Sequence, residues 1–399
     1  MTYPLSGLKV LDLTHLIAGP YCTKLLSEFG AEVVKIEKPG EGDLARRIGP
    51  FLNDIPHFER SGLFLYLNMG KKSITLNLRT VKGKKILFEL VKWADVVVEN
   101  FEPRVMPDLE LAYEVLEKIN PKVVMTSISN FGQTGPYRDY LADEIIEQAM
   151  SGLMYIVGDP TGEPLKPGGF QAEYQAGLSG AIGTMTALYA RNRTGRGEHV
   201  DISIMETITS LIENTLVVYS YQGVVRKRAG SRFPRNHPTA ILPCKDGYIA
   251  VAAQMQKQWE ALCELIEKPD LLDDPKFATA ADRYDHADEI DEVLLIWSRE
   301  LTKEEIFHRA QARRIPVSIV CTVQDLLNDP HYQARNFFIE LGHPEAGSLT
   351  YPGAPFKMSE TEWKGARAPL LGEHNQEIYG DLLGYTQQDL EKLRSTKVI

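Results

Sequence analysis

The sequence is short of several features that would name a chemistry at once. Its four cysteines, Cys22, Cys244, Cys263 and Cys321, stand far apart with no CxxC pair. They fit neither a zinc site nor a disulfide framework, and read instead as reduced, packed thiols of a cytoplasmic protein. No metal site is expected. No apolar run approaches the ~20 residues needed to cross a bilayer, so no membrane partner is expected. The stretch Met1–Leu8 has neither the basic nor the apolar segment of a signal peptide. Positive charge is not in excess: 44 Lys and Arg stand against 54 Asp and Glu, for a net charge of -10. That balance argues against a nucleic-acid partner, although a local basic patch can still serve an anionic ligand. No GxGxxG follows any β-rich run, so ordinary dinucleotide binding is not supported.

What is present is ordinary for a globular enzyme, with 43% hydrophobic and 25% charged residues over 399 positions. That length predicts two domains, or one large domain carrying an insertion. The first half alternates apolar β-rich runs with helical stretches. Strands are expected at 8–14, 31–37, 73–78, 95–99 and 122–128. Helices are expected at 20–29, with Pro20 in the first turn and Gly30 closing it, and at 81–93. Such repetition predicts a parallel sheet covered by helices on both faces, with ligands at the loops beyond the strand C-termini. Two long helices follow, at 143–156 and 173–191, then a short strand and a helix at 205–222. Residues 226–238 (RKRAGSRFPRNHP) have no apolar period and read as a linker. Beyond it come a hairpin turning at Asp246–Gly247 and several charged helices. The expected division is a large domain of 1–225 and 323–399 with a smaller α+β domain, 226–322, inserted between them.

Seven segments, in order, resemble the CaiB/BaiF (class III) coenzyme A transferases, which include formyl-CoA transferase, carnitine CoA-transferase and α-methylacyl-CoA racemase. They are LDLTHLIAGPYCTKLLSEFGAEVVKIEKPGEGD (11–43), NMGKKSITLNL (68–78), ADVVVENFEP (94–103) and SNFGQTGPYRD (129–139), then SGLMYIVGDPTGEPLKPG (151–168), YQAGLSGAIGTMTALYARNRTGRGEHVDISIMET (174–207) and APLLGEHNQEI (368–378). The resemblance implies a Rossmann-like sheet domain built from both chain ends, a smaller inserted domain, and an interlocked dimer. The dimer would be a homodimer or a heterodimer with a related chain. It also implies that coenzyme A is bound as acyl-CoA substrate or product, with a carboxylic acid as the other substrate.

Coenzyme A needs basic residues at its nucleotide end and a narrow channel toward its thiol. The resemblance places the pantetheine and pyrophosphate at the loop His15, Leu16, Ile17 and Ala18, where a helix N-terminus offers free N–H groups. It places the nucleotide end near Lys38, Asn100, Phe101 and Arg104. Lys71, Lys72 and Arg138 are further basic candidates, although Lys71 and Lys72 also read as an edge device before a strand. Arg235 and His237 in the linker are candidate contacts for a substrate carboxylate, or plain surface. Phe131, Tyr137, Tyr140 and Phe233 hint at room for a bulky acid, and core packing explains them equally.

Transferases of this family use an Asp as nucleophile, carrying an anhydride and then a CoA thioester. The matching stretch here is GGFQAEYQAGLSG (168–180), and its acid is Glu173. This is a departure from the family pattern. Three readings stay open: Glu173 is a working nucleophile, or the chain is the non-catalytic subunit of a heteromer, as in the benzylsuccinate type, or Glu173 is a helix N-terminal acid. A racemase is the lesser alternative, because Ala142 stands before Asp143 where those enzymes carry a His.

Overall fold

In a computed structural model, residues 3–212 and 214–399 are described. The chain divides into two compact units. One comprises Met1–Leu153, Gly168–Glu213 and Ala334–Ile399, the other Met154–Pro167 and Asn214–Gln333. The division falls earlier than the change of composition at 226. A helix at Thr215–Gln222 goes with the second unit, as do residues 323–333 and the excursion 154–167.

The first unit is built on a six-stranded sheet. β1 is Lys9–Asp12, followed by α1 (Ala18–Glu28), β2 (Glu32–Glu37), β3 (Lys72–Thr75), α2 (Val81–Trp93), β4 (Val96–Glu99) and β5 (Val124–Ser129). Then come α3 (Glu144–Met150), α4 (Gln171–Thr194), β6 (His199–Ser203) and α5 (Ile204–Leu211). The strand order is β3-β2-β1-β4-β5-β6, and every neighbouring pair is parallel. Side chains alternate along a strand, so an apolar run feeds both faces. Val10, Val33, Val96 and Val124 pack with Ala18, Cys22 and Leu26 of α1 and Ala172 and Ala176 of α4. Their neighbours Leu11, Val34, Val97 and Met125 pack on the opposite face with Ile86, Leu87, Leu90 and Val91 of α2.

The open edge at β3 is closed by the C-terminal segment. The N–H of Ser73 donates to His374 Nδ1, that of Thr75 to Asn375 Oδ1, and the Tyr379 hydroxyl donates to the carbonyl of Thr75. Ile378, Tyr379, Leu390 and Leu393 enter the α2-side core. Both ends of the chain therefore belong to one unit, and the unpaired strand edge that would invite association is covered.

Two expected helices are interrupted. α3 stops at Met150, and a single turn at Leu153–Ile156 follows a left-handed Gly152 at φ 85°. The stretch expected as one helix at 205–222 is α5 and then Thr215–Gln222; residue 213, inside it, lies outside the described residues. α4 runs beyond its expected limits and is closed by Gly195 at φ 74°.

In the second unit the expected hairpin pairs Thr239–Cys244 with Gly247–Ala252, and Val317–Ile319 adds a third strand. Trp259, Leu262, Leu294 and Ile306 form its core. Within the linker, Arg235 is exposed, but His237 is fully buried, its Nε2 3.1 Å from Asp291 Oδ1. His237 is thus a packed residue of this unit and is not open to a substrate. Among the described residues no helix is long and apolar enough to cross a membrane.

Candidate active site

β1 lies between β2 and β4, so the sheet order reverses direction there. Crevices for ligands open at such a reversal, beyond the strand C-termini. The loops that flank it hold His15–Ala18 and Asn100–Arg104, and they are tied together. The N–H of His15 donates to Asn100 Oδ1 at 2.9 Å, and Asn100 Nδ2 donates back to the carbonyl of His15 at 2.8 Å. The His15 and Phe101 rings meet edge to face at 5.4 Å. Burial pushes the His15 imidazole down from its ordinary value. Leu16 sits at φ 64°, a conformation a non-glycine residue holds only when its surroundings impose it. The imposing contact is Asp43, whose Oδ1 accepts the Leu16 N–H at 3.0 Å.

A buried ion network supports that loop from below. Lys35 Nζ donates to the carbonyl of Thr14 at 2.7 Å and pairs with Asp43 Oδ2 at 2.8 Å. Lys71 Nζ donates to Asp12 Oδ2, the carbonyl of Pro20 and Asn68 Oδ1, each at 2.9 Å. Burial pushes the Asp12 carboxyl up, and the Lys35 and Lys71 ammonium groups more than reverse it, leaving it well below the carboxylate range. Burial also lowers the Lys71 ammonium, which Asp12 partly restores, to about 8. All three donors of Lys71 are used and its side chain is sealed from solvent. Lys71 is therefore a fold residue and is not free for a nucleotide. Lys72 opens β3, at the strand end away from the ligand loops, and pairs with Glu32 and Glu377 at 2.6 Å each.

The remaining basic candidates follow strand C-termini; Lys38 and Arg104 are exposed and Arg138 is half-buried. Lys38 follows β2 and pairs with Glu41 at 2.5 Å; Arg104 follows β4 and pairs with Glu102 at 2.7 Å. Arg138 lies in the loop after β5, 3.4 Å from Asp139. Such exposed pairs are weak and exchange readily for another anion. The N–H of Phe101 donates to Glu99 Oε2 at 2.8 Å. Burial pushes the Glu99 carboxyl up to about 7.

Glu173 lies in the first turn of α4, on the face toward α1. Its Oε2 accepts the N–H of Ala18, the first residue of α1, at 3.1 Å. The carboxyl thus rests at the end of the His15–Ala18 loop, on the positive end of a helix. Burial pushes it up, the Ala18 N–H draws it back, and Glu144 and Asp143 raise it again, to about 7. A half-buried carboxyl held by an aimed N–H can act as an oxygen nucleophile whose strength is set by its protonation.

Residues 5–375 match CoA-transferase family III. The chain belongs to that family. It is 35% identical to the succinyl-CoA–D-citramalate CoA-transferase of Chloroflexus aurantiacus, over 99% of this chain and 98% of that one. It is 34% identical to the β subunit of the succinyl-CoA–L-malate CoA-transferase of the same organism, over 100% and 98%. A CaiB/BaiF family protein from Brucella suis has the same fold, with a TM-score of 0.87 at 32% identity over 96% of this chain and all of that one.

In this family III chain, a group of α3 side chains that sequence reading missed surrounds Glu173. Glu144 Oε1 accepts the N–H of Ala172 at 3.0 Å, and its Oε2 accepts the N–H of Glu173 itself at 3.2 Å. It caps α4 from another helix, and the Gln148 amide donates to it in turn. Glu147 is fully buried with no hydrogen-bond partner on either oxygen. Burial first, then the nearby Glu173, pushes its carboxyl up to about 9, so at neutral pH it is a neutral acid. Asp143 takes the N-cap position of α3 without making a side-chain cap. The signal was available: positions 144, 147 and 148 share one helical face, and all three are polar.

Proposed function

We propose that this chain moves coenzyme A between an acyl-CoA and a carboxylic acid, with Glu173 carrying the acyl group. The observation that carries this reading is the Glu173 carboxyl held on the Ala18 N–H, at the loop where an acyl-CoA would lie. Lys38, Asn100, Phe101, Arg104 and Arg138 are assigned to the nucleotide end, and His15, Leu16 and Ile17 to the pantetheine.

In the first step the ionised Glu173 oxygen attacks the thioester carbon, the C–S bond breaks, and coenzyme A leaves as the thiolate. The product is a mixed anhydride. The thiolate then attacks the glutamyl carbonyl, the anhydride C–O bond breaks, and the donor acid departs as its carboxylate. An acceptor carboxylate attacks the resulting glutamyl thioester, and the steps run in reverse. The Ala18 N–H supports charge on the glutamyl carbonyl oxygen when the thiolate or the acceptor carboxylate attacks the glutamyl carbon. Only the ionised form attacks, so turnover rises as the pH is raised through about 7. Succinyl-CoA as donor and a short dicarboxylic acid as acceptor are supported by the names of several relatives.

One relative is named as a β subunit, which supports a second reading: this chain works as a heterodimer with a related chain that carries an Asp. Treating the purified chain with succinyl-CoA and then hydroxylamine, followed by peptide mass spectrometry, separates the two. Modification at Glu173, with turnover abolished in Glu173→Gln, supports the first. Turnover only on adding a second chain, with Glu173 unmodified, sinks it.

A further inference from the structure

α4 approaches the backbone of α1 at Gly177. Gly177 follows Glu173 by one helical turn and shares its face. A Cβ placed on Gly177 would stand 2.5 Å from the carbonyl oxygen of Ala18 and 3.1 Å from Cβ and Cδ1 of Tyr21. The N–H of that same Ala18 is the donor to Glu173 Oε2. Ala18 is therefore met by α4 on both sides, at its N–H by the carboxyl and at its carbonyl by a backbone with no room for a methyl group. The next glycine on this helix differs. A Cβ on Gly180 would meet Ile128 Cδ1 at 2.8 Å and Cys22 Sγ at 3.3 Å, which are side-chain atoms and not backbone.

We propose that Gly177 is a positioning residue for Glu173: its bare backbone lets α4 seat against the Ala18 carbonyl, and that contact fixes the carboxyl on the Ala18 N–H. The role in turnover rests on the function proposed above; the geometry does not.

A methyl group at Gly177 has to retreat from the Ala18 oxygen by on the order of 0.5–1 Å to reach ordinary contact, since packed backbone does not yield. The 3.1 Å bond then opens beyond hydrogen-bonding reach. A misplacement of about 1 Å costs a catalytic group on the order of 100-fold. Losing the Ala18 donor also removes a contact that favours the ionised carboxyl, so half-ionisation moves to higher pH.

The test labels glutamate with 13C at the side-chain carboxyl and identifies Glu173 as the NMR signal missing from Glu173→Gln. In Gly177→Ala the titration midpoint of that signal rises, and kcat falls about 10- to 100-fold. Gly180→Ala keeps both near wild type. A folded Gly177→Ala with an unmoved midpoint and wild-type kcat overturns the proposal. Should Gly177→Ala not fold, Gly177→Ala combined with Tyr21→Ala decides, because it removes the 3.1 Å side-chain contacts and keeps the 2.5 Å backbone one. Relative to Tyr21→Ala alone, a raised midpoint in the double variant supports the proposal and an unmoved midpoint overturns it. The titration needs no substrate. A wild-type chain without turnover therefore sinks the functional reading alone, while an unshifted signal sinks the role of Gly177.

Discussion

Replacing Glu147 with Gln should stabilise the first unit, and increasingly so as the pH rises. In the native chain this side chain has no exposure and neither oxygen has a partner. Its carboxyl is raised from 4.5 to about 9. A carboxyl raised in the folded state leaves stability intact below the unfolded value, and stability is then lost as the pH climbs toward the folded value. Between those limits the native chain holds one proton more than the unfolded chain, so stability falls by about 1.4 kcal/mol per pH unit. At pH 7 the accumulated cost is of order 3 kcal/mol, and near pH 5 it is below about 1 kcal/mol. Glutamine has nearly the same shape, is neutral at every pH, and leaves much the same polar atoms unpaired as the protonated acid does. The gain in Glu147→Gln should therefore approach that cost at each pH. Glu173 and Glu99 titrate in both proteins, so their share of the slope largely cancels in the difference. The assay is urea unfolding at pH 5, 7 and 8.5, read by hydrogen exchange of the β4 and β5 amides so that only the first unit is followed. A stability difference that stays flat across that range would refute the argument.

Asn100→Ala removes both bonds to the His15 backbone, at 2.9 and 2.8 Å, and should cost about 1–2 kcal/mol of stability while raising the KM for acyl-CoA several-fold. Steady-state kinetics at saturating acceptor would show it, and an unchanged KM would separate that loop from coenzyme A. Lys71→Met leaves Asp12 buried without its closest ammonium and should lose about 3–5 kcal/mol, whereas Lys38→Ala should leave the melting temperature unchanged and raise only the KM for acyl-CoA. Paired melting curves and kinetics check this, and a stable Lys71→Met with weakened acyl-CoA binding would return that lysine to the nucleotide site.

The inner strands of the sheet were legible because they are buried on both faces. Val96–Val98 and Val33–Val34 are apolar without interruption, which is what a helix-covered parallel strand requires, and the intervening helices repeat at helical period. The position of Glu173 at the head of a Gly- and Ala-rich helix was legible from the family motif. The acids around it were not. α3 carries Ile145, Ile146 and Met150 on its exposed side, each between 42% and 48% exposed, while Glu144, Glu147 and Gln148 face inward. Hydrophobic period alone turns such a helix the other way round. The two adjacent lysines show the same limit: Lys71 is sealed in an ion network and Lys72 faces partly outward, a difference set by strand alternation and by the distant Asp12.

What the sequence determined by itself were the local matters: strand and helix identity, the hairpin at residue 246, the family, and the one carboxyl at the motif. Those depend on short-range periodicity and on residue types at fixed spacing. The tertiary structure decided which charges are available and which are spent, that the Ala18 N–H meets Glu173, and that Gly177 sets their distance. The contacts that decide them, Lys71 with Asp12, Ala18 with Glu173 and Gly177 with Ala18, join residues more than 50 positions apart, and form only when the sheet brings its loops to one edge and α4 lies across α1.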